Sequence, residues 1–399
     1  MVRWWGSALA LVVVPALARA ADLAPPIPAA LPGAVADANG TIAVVAEAGG
    51  GVAAVDLSTG RTRWRSSQGR WPLASAYPWV AVAAPDDASR GVLRVRFLRA
   101  ADGGLLADAK PIRLPAGIGQ ASWEGEGLSL GTGNSSVHVT AWVPRPQRGP
   151  SRDPHAGQLR IRWRTESFTG GGGMRPPERG PAFAGLVFVD PASGAVDARP
   201  DDPAESPEPA PPALPSSWQR APGTIYWSWS WYGAAWSDKP RVFWLGGSGV
   251  AGFFGYEGAA RRLVLNRFRP LEPLPPVAVA AGGEWAPQVS MDGRYLVLSK
   301  GNAGVETFAL YDLLGLAKQP APRQIPHLEP RFRSPFSVIG SSLYYVAEGE
   351  GAGAAAGTTT FPRWLVCVDW AAGKVRWTHA LPPRFLPAPM AGAGPGLPR

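Results

Sequence analysis

Leu365-Val-Cys-Val-Asp369-Trp-Ala-Ala-Gly373-Lys-Val-Arg-Trp377, near the end of the chain, repeats a pattern already used in Val52-Ala-Ala-Val-Asp56-Leu-Ser-Thr-Gly60-Arg-Thr-Arg-Trp64 near its start. In both copies an apolar strand ends on Asp, Gly follows four residues later, and Trp four after that. Asp suits the first position of a tight turn because its carboxylate accepts the turn's backbone N–H groups. Gly supplies the left-handed residue on which a longer hairpin loop closes. Trp then stands on the returning strand, and strict alternation puts it on the face opposite Arg63 or Arg376. Two such hairpins at opposite ends of one chain point to a repeat architecture.

Composition agrees with strands and turns. The chain has 399 residues, with 49 Gly, 44 Pro and 18 Trp, and 46% of it is hydrophobic. That mixture fits an all-β protein with many turns and aromatic packing, and excludes wholesale disorder. Charge points to no polyanion partner. The formal +9 is carried largely by Arg scattered one per strand, without the stripe or block that nucleic acid requires. It falls to +7 if Arg3 and Arg19 leave with an N-terminal leader. Such a leader is expected at Met1–Ala20, with a basic start, an apolar run from Ala8 to Leu17, and Ala18-Arg-Ala20 as a small-x-small cleavage site. The apolar run is too short to span a membrane, so a periplasmic or secreted chain is expected from residue 21 onward. Cys367, the only cysteine, rules out an internal disulfide and a lipid-accepting Cys after the leader, and is expected to be a small buried apolar residue.

Short apolar runs separated by Gly, Pro, Asp and Asn parse into six groups of four strands, at about 31–66, 73–114, 119–199, 222–270, 284–329 and 334–381. The third group is long enough to hold a seventh. It ends in a weakened motif copy, Leu186-Val-Phe-Val-Asp190-Pro-Ala-Ser-Gly194, with Ala198 where Trp is expected. Residues 200–217 are Pro-rich and locally acidic and read as a disordered surface connection, and 382–399 as a Pro/Gly-rich frayed tail. In the fourth group Trp227, Trp229 and Trp231 alternate with Ser228 and Ser230, which gives one strand face three indoles. That face is either packing between blades or an exposed platform for sugar rings.

The Asp–Gly–Trp copies resemble the tryptophan-docking repeat of quinoprotein-like β-propellers. Val289-Ser-Met-Asp292-Gly293-Arg294 with its following strand is similar to TolB-like propeller repeats, with Met291 where Pro is usual. The resemblance implies a propeller of six, or seven, four-stranded blades with long Pro/Gly-rich inserts, in which Asp56, Gly60, Trp64, Asp190, Gly194, Asp369, Gly373 and Trp377 join blades. It leaves three functional expectations. The first is an exported, monomeric, non-enzymatic scaffold for an envelope protein partner, as in barrel-assembly lipoprotein propellers, with no cofactor. The second is a glycan- or small-ligand-binding ring using Trp227, Trp229 and Trp231. The third is a dehydrogenase using pyrroloquinoline quinone, for which the family's vicinal cysteine pair is missing. The four histidines, His138, His155, His327 and His379, have no metal-ligand spacing.

Overall fold

Strands formed by these runs build the whole described molecule, and no helix occurs among the described residues. The computed structural model describes residues 30–387 apart from short stretches, the longest being 145–152, 170–177, 203–213 and 327–335. The expected leader, 1–20, and most of the expected tail lie outside the described residues.

Six antiparallel sheets follow one another along the chain, spanning 30–66, 71–113, 120–200, 225–280, 286–326 and 336–387. Strand order within each sheet largely follows chain order, so each is a meander. The long third run puts its extra strands, Gln120–Glu124 and Gly127–Thr132, onto the first edge of the same sheet. Sheet 4 differs from the sequence parse. Its regular strands are Phe243–Trp244, Ala251–Glu257, Arg262–Arg269 and Glu272–Ala280, and the last was not anticipated because Pro273, Pro275 and Pro276 argue against a strand. It is the outermost strand, where proline is tolerated because one side needs no partner. The Trp-rich segment is instead an added hairpin, Ile225–Ser230 with Gly233–Ser237, joined to Ala251–Glu257 only through Ile225 and Tyr226. At the other end, pairing does not stop at residue 381. Lys374–Pro387 runs on beside Thr358–Asp369, with Thr359 opposite Leu386 and Thr360 opposite Phe385.

Apolar faces join neighbouring sheets. Val44, Ala54 and Trp64 of sheet 1 meet Val80, Val82 and Leu98 of sheet 2. Sheets 2 and 3 share the largest cluster, with Phe97, Leu159 and Ile161. Sheets 4 and 5 meet through Phe254, Leu265 and Leu298, and sheets 5 and 6 through Val297, Phe336 and Val366. Sheet 6 then packs on sheet 1 through Leu365, Cys367, Val45 and Val55. Last against first is the arrangement of a propeller, which leaves only short, protected edges. Cys367 is fully buried in this closing cluster, and burial pushes its thiol pKa up, so it behaves as a core residue.

The junction of sheets 3 and 4 is built differently. Ala251, Phe253 and Phe268 of sheet 4 are covered by Leu214 and Trp218 of the connecting segment. The Trp218 and Phe253 rings meet edge to face, with centroids 5.2 Å apart and planes at 86°. Both ends of the expected disordered connection are therefore anchored, since Asp201 and Asp202 bind Arg162 of sheet 3. Its middle, 203–213, lies outside the described residues.

Candidate functional site

The motif carboxylates organise their own turns. Asp56 accepts the Ser58 and Thr59 backbone N–H groups and the Ser58 hydroxyl, and Arg63 holds its other oxygen at 2.5 Å. Asp369 accepts the Ala372 N–H at 2.8 Å and is held by Arg376 at 2.6 Å. In both hairpins the arginine is the extra residue of a β-bulge. Ala54 pairs with Trp64 while Val55 pairs with Thr62, and Cys367 pairs with Trp377 while Val368 pairs with Val375. The alternation expected between Arg63 and Trp64 is thus corrected. The bulge re-aims Trp toward the next sheet, and Asp pins the residue that bulges.

Each re-aimed indole lands on the next sheet's turn. Trp64 donates its N–H to the Ala100 carbonyl at 2.9 Å, and a Cβ on Gly103 would lie 2.5 Å from its ring. Trp377 donates to the Leu57 carbonyl at 3.2 Å, and a Cβ on Gly60 would lie 2.5 Å from its ring. Gly60 and Gly103 also have φ of +71° and +74°, so glycine is required there twice over. The Tyr344 hydroxyl donates to the same Leu57 carbonyl and completes the closure.

The third copy departs from this pattern. Asp190 still accepts the Ala192 N–H and the Ser193 hydroxyl, and Gly194 still has a φ of +69°. Asp197 stands where Arg63 and Arg376 stand, and no bulge forms: Phe188 pairs with Asp197 and Val187 with Ala198. Gly194 packs directly on the backbone of Asp108 and Ala109, and Lys110 donates its N–H to the Gly194 carbonyl. The TolB-like turn is also a joint. Gly293 faces the Trp244 carbonyl of sheet 4, and the Met291 N–H donates to the Phe336 carbonyl of sheet 6 at 2.9 Å. Proline at 291 would have no N–H to give, which accounts for the departure from proline there.

These carboxylates carry a pH signature. The Ser58 hydroxyl and the Arg63 guanidinium hold Asp56 far below its usual 3.8. Ser193 lowers Asp190, and the Ala372 N–H with Arg376 lowers Asp369. A depressed folded pKa adds stability above the unfolded value, and that stability is lost as pH falls through the folded one. The urea midpoint should be flat from pH 7 to 5 and drop below about pH 4, with a smaller drop in Asp56→Asn. A midpoint unchanged down to pH 2.5 would contradict this assignment.

Two features of sheet 3 had no sequence expectation. Along Leu159–Thr169, Leu159, Ile161 and Trp163 face sheet 2, while Arg160, Arg162 and Arg164 take the other face. Arg160 and Arg162 are buried, the first bound to Asp153 and the second to Asp201 at 2.6 Å, and Arg164 reaches Asp201 at 3.3 Å. His155 stacks on Phe188 at 4.0 Å. On the other face, a cleft of about 420 Å³ opens between strand Ile112–Arg113 and the outer strands of sheet 3, lined by Ile112, Arg113, Trp163, Val196, Ala198 and Arg199 among others.

The backbone places Trp227 opposite Trp236 and Trp229 opposite Ala234, whereas Trp231 lies outside the described residues. Among the described residues no group of three or more His, Cys, Asp or Glu is placed to hold a metal ion, and no helix is long and apolar enough to cross a membrane. The motif residues do not fit the quinone of the resembled enzymes: Cys367 is enclosed in the core, and Asp56 and Asp369 are committed to their turns and bulge arginines.

No family model matches the chain, and no curated protein matches it in sequence. Solved structures that overlap it include a europium-containing methanol dehydrogenase, at 11% identity and TM-score 0.24, over 88% of this chain and 70% of that one. The quinohemoprotein alcohol dehydrogenase of Comamonas testosteroni gives 13% and 0.22, over 90% and 62%. Hsv2 of Kluyveromyces lactis gives 7% and 0.31, over 89% and 98%. Overlaps this loose carry no inference, and the propeller rests on the sheet order and the contact of last sheet with first.

Proposed function

We propose that this chain is a monomeric six-bladed propeller, exported to the cell envelope, that works as a non-enzymatic scaffold for a protein partner. The observation that carries this is the pair of added hairpins on the first edges of sheets 3 and 4, at residues 120–132 and 225–237. Their terminal strands, Gln120–Glu124 and Gly233–Ser237, end their sheets, so each offers a row of backbone donors and acceptors among the described residues. A partner segment adds a strand to such an edge through main-chain hydrogen bonds. Export rests on the leader pattern of Met1–Ala20.

Mild crosslinking of the tagged protein in an envelope extract is expected to capture one predominant partner. A variant with residues 226–236 replaced by a short Gly/Ser turn should fold and lose it. Equal capture by both proteins, or by neither, would count against the proposal.

A further inference from the structure

One joint of the ring is held by different chemistry from the other five. Sheets 1 and 2, 2 and 3, 4 and 5, 5 and 6, and 6 and 1 each meet through an apolar cluster drawn from both sides. Among the described residues no such cluster spans sheets 3 and 4. The strand Leu159–Thr169 gives its apolar face to sheet 2 and turns Arg160, Arg162 and Arg164 to the other side. Sheet 3 therefore offers cations where its neighbours offer aliphatic surface. The segment that links the two sheets is interposed. Its first residues are held by charge, with Asp201 on Arg162 at 2.6 Å and on Arg164 at 3.3 Å, and the Asp202 carbonyl accepting from Arg162. Its last residues, Leu214 and Trp218, are held by apolar contact with Ala251, Phe253 and Phe268 of sheet 4.

An ion pair taken out of water loses hydration that offsets most of its attraction, so it holds two surfaces less firmly than aliphatic packing of similar volume. Local opening takes the least stable contacts first. The joint of sheets 3 and 4 is therefore the one that opens most readily. The same two sheets carry the added hairpins at 120–132 and 225–237. Opening moves the edge at Gln120–Glu124 relative to the edge at Gly233–Ser237. We propose that the ring opens at this joint, and that a partner bound to both edges holds it closed. The holding role rests on the scaffold reading, whereas the opening is a property of the free chain.

Thiol labelling of the full chain tests both, with the native Cys367 as an internal reference in the joint of sheets 6 and 1. Ala251→Cys places a thiol on the covered face of sheet 4, and Ala309→Cys places one in the joint of sheets 4 and 5, both at buried positions. Each rate is divided by that of the same thiol in the urea-unfolded chain. Position 251 is expected to be protected at least about tenfold less than Cys367 and position 309, with a weaker dependence on urea, as local opening requires. Val242→Cys probes the same face if Ala251→Cys lowers the urea midpoint. Equal protection and one shared urea slope at all three positions would overturn the opening. In the envelope extract, labelling at 251 should slow about tenfold, and with residues 226–236 replaced it should not. A captured partner with no slowing would overturn the holding role, whereas no captured partner would overturn the scaffold reading instead.

Discussion

Trp377→Ala is expected to cost about 3–5 kcal/mol of unfolding free energy, the usual range for losing a large aromatic from packed surroundings. Three contacts disappear together. The indole N–H leaves the Leu57 carbonyl, the ring leaves the Gly60 backbone, and Tyr344 loses a neighbour whose centroid is 5.9 Å away. Trp377 is only partly buried, which puts the expected value toward the lower end of the range. Its position compensates, because it joins the last sheet to the first and no covalent connection backs that joint. The expected signs are a lower urea midpoint and faster amide exchange in strands Ile42–Ala46 and Leu365–Asp369. A variant as stable as the parent would mean the ring does not hold these sheets together.

Arg162→Ala is the second large effect, at about 3 kcal/mol, because removing one partner of a buried ion pair leaves the other uncompensated. The Arg162 side chain is 10% exposed and that of Asp201 15%, and Arg162 also donates to the Asp202 carbonyl. Arg164 remains on Asp201 at 3.3 Å, so part of the charge stays balanced. Here the arginine does more than pair. It fixes the start of the segment whose far end, Leu214 and Trp218, covers the face of sheet 4. Proteolysis within 203–213 should therefore quicken in Arg162→Ala. A stability loss under about 0.5 kcal/mol with unchanged proteolysis would show that the pair anchors nothing.

The parts of this fold that were legible in sequence are those set by local chemistry. Asp56 and Asp369 announce tight turns, Gly60 and Gly373 announce left-handed backbone, and alternating runs announce strands. What escaped depends on register. Arg63 and Arg376 were assigned by strict alternation, whereas each is the extra residue of a bulge. One signal was present, since both copies carry Arg seven residues after Asp and the third carries Asp197 instead. The strand Glu272–Ala280 was hidden by its prolines, which an outer edge tolerates. The alternation Leu159-Arg-Ile-Arg-Trp-Arg164 was visible, but the carboxylate partner Asp201 lies on a distant segment and no local pattern names it. The cleft at Ala198 was beyond reach for the same reason, because it arises where pairing is regular although the matching hairpins of sheets 1, 2 and 6 are bulged.

The central claim is that the chain closes on itself by seating Trp377 on the turn at Leu57–Gly60, and a double-mutant cycle between Gly60→Ala and Trp377→Ala tests it most directly. A Cβ at Gly60 would meet the Trp377 ring at 2.5 Å, so the two changes act on one contact. Each single variant should be less stable than the parent, and once the indole is gone the added methyl should cost only its backbone strain. The double variant is therefore predicted to lose less than the two singles combined, by about 1 kcal/mol or more in urea unfolding. Additivity within about 0.5 kcal/mol would contradict the closure, because residues that do not touch have no reason to couple.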